Sequence, residues 1–126
     1  MNSRQKTILI ADDNADILDM LTLFLEDCGY QVQAATDAAS LFAFPLGLPD
    51  LLLLDIWLAG CNGGEICRQL KSQQETCHLP ILLVSANRET EAIAREAGAD
   101  GFVLKPFDLD ALLEVAERYL SSDAVS

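Results

Sequence analysis

One histidine, one tryptophan and eight lysines and arginines are all that the 126 residues hold of those types. The lone His78 lies in a polar turn before Pro80, so it reads as a loop residue and no histidine-built metal centre is expected. Cys28, Cys61, Cys67 and Cys77 form no CxxC pair and show no zinc spacing, and no signal peptide precedes them. They read as reduced thiols of a cytoplasmic protein, with Cys28 and Cys67 on apolar helix faces and therefore counted as core. No apolar run approaches the roughly 20 residues of a membrane span; the longest, 51–54, is strand-sized. Basic residues are outnumbered by 20 acids, giving a net charge of −12. That balance opposes nucleic-acid phosphates and anionic membranes, so neither is expected as a partner. It points instead to a bound cation or a basic protein surface.

What is present is apolar and regularly arranged. Hydrophobic residues make up 51% of the chain, enough to fold, and the length suits one domain over 1–126 with a core at about 6–121. Strand-like and helix-like segments alternate five times. The run TILIA (7–11) is followed by a helical pattern over 16–28, in which Ile17, Leu18, Leu21, Phe24, Leu25 and Cys28 recur at helical spacing, and Gly29 closes it. Residues 30–35 alternate like a strand, and Asp37 caps a short helix over 38–44 that Pro45 and Gly47 end. The uniformly apolar 51–54 and 81–84 read as strands covered on both faces. A Gly-rich loop at 60–64 leads to a helix over 65–72, a further helix covers 89–97, a last strand covers 102–104, and Asp108 caps a helix over 108–120. The tail beyond 121 reads as frayed. Five βα units with short connections predict an α/β, doubly wound, five-stranded parallel sheet with helices on both faces, a flavodoxin-like (βα)5 arrangement.

In such sheets ligands bind beyond the carboxyl ends of the strands. Asp12 and Asp13 follow the first strand, Asp55 ends the third, Ser85 the fourth, and Lys105-Pro106 the fifth. The first loop, Ala11-Asp12-Asp13-Asn14, has no glycines to cradle a nucleotide phosphate. Clustered carboxylates repel unless a cation neutralises them, and an oxygen-only set with open positions suits Mg2+. Asp55 is a candidate nucleophile forming an acyl phosphate, with Lys105 and Ser85 meeting the phosphoryl oxygens. Taken singly, Asp12 or Asp13 reads equally as a helix cap, Ser85 as a loop hydroxyl and Lys105 as a surface charge. The convergence of five such groups is the signal.

The segments ILIADDNADI, PDLLLLDIWLAGCNGGEICRQLK, LPILLVSA and AGADGFVLKPFDLDALL resemble the receiver domain of two-component response regulators, of the chemotaxis-regulator type, over essentially the whole chain. The resemblance implies that Asp55 is the phosphoacceptor and that Asp12, Asp13, Asp55 and the backbone carbonyl of Trp57 hold Mg2+. It implies that Lys105 is the active-site lysine, joined to Pro106 by a cis bond, and that Ser85 and Phe102 are switch residues. Phe102 alone also reads as a core aromatic. The partner implied is a histidine kinase or a histidine phosphotransfer protein, with a downstream protein target and a monomeric or weakly dimeric state. Such a domain phosphorylates and dephosphorylates itself and is not a turnover enzyme. Three departures stand out. Ala59 replaces a common proline, so its loop is expected to be more mobile. Trp57 is bulky, with an indole expected to be partly exposed over the site. The short apolar second helix is expected to pack inward.

Two rivals share the chemistry or the fold. An aspartyl-phosphate phosphohydrolase also uses a carboxylate nucleophile, but usually carries an acid where Trp57 stands. A flavodoxin-like FMN carrier is disfavoured by the acidic first loop. The start at Met1 and the frayed end weakly favour a complete short protein over a receiver cut from a hybrid kinase or larger regulator.

Overall fold

The computed structural model describes residues 5–44, 47–86 and 88–120. In chain order the elements are β1 (Thr7–Ala11), α1 (Ala15–Asp27), β2 (Gln31–Ala35), α2 (Ala38–Ala43), β3 (Leu51–Asp55), β4 (Trp57–Leu58) and β5 (Cys61–Asn62). Then come α3 (Gly63–Ser72), β6 (Ile81–Ser85), α4 (Thr90–Ala97), β7 (Gly101–Leu104) and α5 (Leu109–Leu120). Five strands pair in parallel in the order β2-β1-β3-β6-β7. The direction of winding reverses at β1, which puts a crevice beyond the carboxyl ends of β1 and β3.

The uniform leucines of β3 follow from this placement. Leu52 and Leu54 enter one core with Leu9, Leu83, Ile66, Leu70, Ala94 and Ala97. Leu51 and Leu53 point the other way, into a core with Ile8, Ile10, Leu21, Leu25, Leu112 and Ala116. Alternate side chains of one strand thus fill opposite layers, so no position can be polar until the strand leaves the sheet at Asp55. Helices α2, α3 and α4 cover the first face; α1 and α5 cover the second.

Helix termini explain several boundaries. Asn14 caps α1 through its Oδ1, which accepts from the backbone of Asp16 at 2.9 Å and Ile17 at 3.2 Å. Asp37 and Ser40 form a reciprocal capping box on α2. Asn62 accepts from Gly64 and Glu65 at the start of α3. Cys67 is buried, but Cys28, expected in the core, is exposed. Cys28 keeps the helical register as the C-cap of α1, its amide donating to the Phe24 and Leu25 carbonyls, but it sits at the solvent-facing end of the helix, beyond Leu25, the last buried residue. In α2, Leu41 is fully buried and Phe42 and Phe44 pack against the core, so the apolar character of this helix serves packing. Pro45, Leu46, the start at Met1 and the tail beyond 120 lie outside the described residues.

The Gly-rich loop expected over 60–64 is divided: its first residues belong to a miniature hairpin, and α3 already begins at Gly63. Strands β4 and β5 pair antiparallel, Trp57 opposite Asn62 and Leu58 opposite Cys61. Ala59 and Gly60 turn between them with φ of +49° and +85°, the positive pair that a type I′ turn demands. With alanine at this position the segment forms a tight turn. Proline, locked near −65°, cannot occupy Ala59's conformation.

Candidate functional site

Because Asn14 supplies the cap of α1, neither acid before it is consumed by that task. Asp12 is 4% exposed. Its Oδ1 accepts from the backbone of Asn14 at 2.9 Å, and its Oδ2 faces the Lys105 ammonium at 3.2 Å. Asp13 is exposed, and its Oδ2 accepts from the backbone of Ala59 at 2.9 Å. Asp55, at the end of β3, lies 3.8 Å from Lys105 through Oδ2, and its Oδ1 receives the Trp57 amide at 3.4 Å. Asp12, Asp13 and Asp55 each offer an oxygen within 4.8 Å of the others.

Burial, and then the Asp12 charge, push the Asp55 carboxyl above its ordinary range; Lys105 pulls the other way and only partly offsets them. Lys105 reaches the cluster because β7 pairs with β6 and the Lys105 amide donates to the Ser85 carbonyl at 2.8 Å. The Lys105–Pro106 bond that follows is cis. Ser85 is buried at the end of β6, one residue past Val84, the cross-strand partner of Asp55. The five strand-end groups therefore gather at one edge. Three carboxylates against one ammonium leave an excess of negative charge on oxygen donors alone, a set that fits a hard divalent cation.

Trp57 is 57% exposed. Leu58 turns into the core, so alternation along β4 puts the indole outward. There it lines a groove with Ala38, Phe42, Asn62, Glu65 and Gln69, whose walls include none of Asp12, Asp13, Asp55 or Lys105. The indole thus leans toward α2 and α3, beside the acidic cluster. Phe102 is half-buried, packed on the α4 face of the sheet and bordering a shallow cavity with Glu91, Ala94, Arg95 and Ala99. A second, strongly apolar groove formed by Ile17, Met20, Ala86, Pro106 and Phe107 adjoins the site through Lys105.

Two contributors were not singled out from sequence. Gly63 is one: a Cβ there would run into the Asp55 carbonyl and come within 2.8 Å of the Ile56 Cα. Its amide also bonds to the Ile56 carbonyl, holding α3 directly under the end of β3. The only sequence sign was a glycine inside a glycine-rich loop. Ala59 is the other, noted as a departure but not as a donor to Asp13, since a main-chain hydrogen bond leaves no mark on residue type.

Comparison with known proteins agrees with this geometry. The sequence model of the response regulator receiver domain matches residues 8–117. The chain is 39% identical over 105 residues to the phosphate regulon transcriptional regulatory protein PhoB of Pseudomonas aeruginosa, covering 81% of this chain and 46% of that protein. Among solved structures, the receiver domain of NtrX from Brucella abortus is 37% identical with a TM-score of 0.80, covering 90% of this chain and 98% of that one. The chemotaxis protein CheY4 of Vibrio cholerae is 27% identical with a TM-score of 0.83, covering 93% and all of that chain. The chain spans less than half the length of relatives such as PhoB, so the match concerns their receiver portion. With its sheet order, its acidic crevice and these matches, the chain belongs to the receiver-domain family of two-component response regulators.

Proposed function

We propose that Asp55 accepts a phosphoryl group from a phosphohistidine, on a histidine kinase or a histidine phosphotransfer protein, and that the domain reports this by protein contact or onward transfer. The observation that carries the reading is the convergence of Asp55 with Asp12, Asp13 and Lys105 at one crevice. An Asp55 carboxylate oxygen attacks phosphorus in line, the P–N bond breaks, and the imidazole leaves and takes up a proton. Asp12, Asp13, Asp55 and the Trp57 carbonyl would hold Mg2+, which when bound neutralises charge on the phosphoryl oxygens. Lys105 pairs with one of those oxygens and Ser85 donates a hydrogen bond to another. Water later attacks phosphorus, the P–O bond to Asp55 breaks, and inorganic phosphate leaves, which restores the carboxylate; the domain acts as its own substrate, signalling by its phosphorylated state.

The apolar groove beside Lys105 supports a protein phosphodonor, because a docked partner there would cover the crevice. A net charge of −12 favours a basic protein surface over nucleic acid. No described helix is long and apolar enough to cross a membrane. Four free thiols favour the cytoplasm, where a kinase would meet it. The whole of 1–126 is read as one domain, acting as a monomer or weak dimer.

The test is incubation with acetyl phosphate and Mg2+ followed by intact-mass measurement. The parent should gain one phosphoryl group, and Asp55→Asn should gain none. Labelling of the Asn variant at the parent's rate would refute the assignment.

A further inference from the structure

We infer that the backbone amide of Ala59 is a positioning group for the cation site, presented by a type I′ turn at a position where the family commonly has proline. The inference rests on the assignment of Asp13 as a metal ligand. A carboxylate on the rim of a water-rich site swings freely about its χ angles, and a ligand that must first be ordered binds more weakly. Asp13 is exposed and has little packing to hold it. Its Oδ2 accepts the Ala59 amide at 2.9 Å, across 46 residues of chain. That bond fixes the carboxylate plane and leaves Oδ1 for a cation, the arrangement by which outer-shell donors orient metal ligands.

The donor exists because of a particular backbone. Ala59 has φ of +49° and Gly60 +85°, and pairing of Leu58 with Cys61 clamps the turn between them. In this conformation the Ala59 N–H points back at the crevice. Proline lacks that N–H and cannot take that φ. The same hairpin carries Trp57, so a single bond ties Asp13 to the segment whose carbonyl is assigned to the cation. Asp12, by contrast, is buried and fixed by Asn14 and Lys105, and needs no such aid.

Two substitutions separate the amide from the side chain. Ala59→Gly keeps the N–H and suits the positive φ, whereas Ala59→Pro removes the donor. Mg2+ affinity is measured by calorimetric titration, and the Ala59 amide is followed by its proton shift and hydrogen exchange with and without Mg2+. The expected result is Ala59→Gly within about twofold of the parent and Ala59→Pro about tenfold weaker or more, as for other outer-shell partners. The Ala59 amide of the parent should stay protected when Mg2+ is bound. Equal or tighter Mg2+ binding by folded Ala59→Pro would overturn the inference, as would loss of Ala59 protection on adding Mg2+. The amide measurement decides the matter on the parent alone if Ala59→Pro does not fold. A parent that binds no Mg2+ at all would instead refute the cation site itself.

Discussion

Asp55 is held where its charge is least welcome: partly buried, facing Asp12, with one lysine to offset both. A carboxylate whose pKa is raised on folding contributes stability that is full below its unfolded pKa and is lost as pH rises through the folded value. At neutral pH the ionised group is therefore a liability in the metal-free protein, and this is the reactivity a nucleophile requires. Asp55→Asn removes the charge without changing the shape. In chelator it should melt several degrees above the parent at neutral pH, and the difference should shrink on acidification toward the ordinary carboxylate range. Melting curves of both proteins over a pH series check this; a gap that widens toward acid would contradict the electrostatic account. Cys67 shows the opposite use of burial. Its thiol is pushed up to about 11, which keeps it protonated and inert at neutral pH.

At the scale of elements, the junction of β3, the β4–β5 hairpin and α3 is where sequence reading fell short. The parallel strands and most helix limits were legible, because a strand covered on both faces is uniformly apolar and caps have residue signatures. The strand-end acids, serine and lysine were legible for a related reason: a charge directly after LLLL has few structural uses. The hairpin was not, since two residues per strand are too few for any periodicity, and its positive φ at Ala59 contradicts alanine's preference. Cys28 was misplaced because helical spacing says nothing of where the core ends: it keeps the register as the C-cap but lies beyond Leu25, at the exposed end of α1. Gly63 and Gly64 look alike in sequence and differ in space. A Cβ at Gly63 meets rigid backbone at Asp55 and Ile56, whereas one at Gly64 meets the Ile93 Cγ2 at 2.9 Å and the Asn62 Oδ1 at 3.0 Å. Gly63→Ala should accordingly cost about 1–3 kcal/mol, the range for overpacking, and slow labelling of Asp55. Gly64→Ala should cost less, because Ile93 can shift and alanine is the better helix former. Denaturant unfolding with acetyl phosphate labelling of both variants tests this, and equal effects would show that the close approach to Asp55 does not matter.

At the scale of the molecule, phosphorylation must alter a surface that a partner reads, and the packing suggests which part can move. The end of β7 remote from the site is pinned. Lys71 donates to the Asp100 carboxylate at 2.7 Å and to the Leu79 carbonyl at 2.8 Å, while that carboxylate also accepts the Ile81 amide. Tyr119 of α5 donates to the Asp100 carbonyl at 2.8 Å. The other end of β7 carries Leu104, 48% exposed, just before Lys105, and Phe102 lies between, half-buried beside a cavity against α4 that Asp100 and Gly101 also line. A phosphoryl group engaging Ser85 and Lys105 would act on this loose end, and it can shift the population only through contacts absent from the unmodified state. Chemical-shift mapping with a phosphoryl mimic and Mg2+ should therefore show large changes at Ser85, Phe102, Leu104 and the first turns of α4 and α5. Lys71, Asp100 and Tyr119 should change little. Changes restricted to the loops around Asp55 would mean that the signal does not cross the sheet edge. Equal changes at both ends of β7 would mean that α4, β7 and α5 move as one body and that the Asp100 anchor is no hinge.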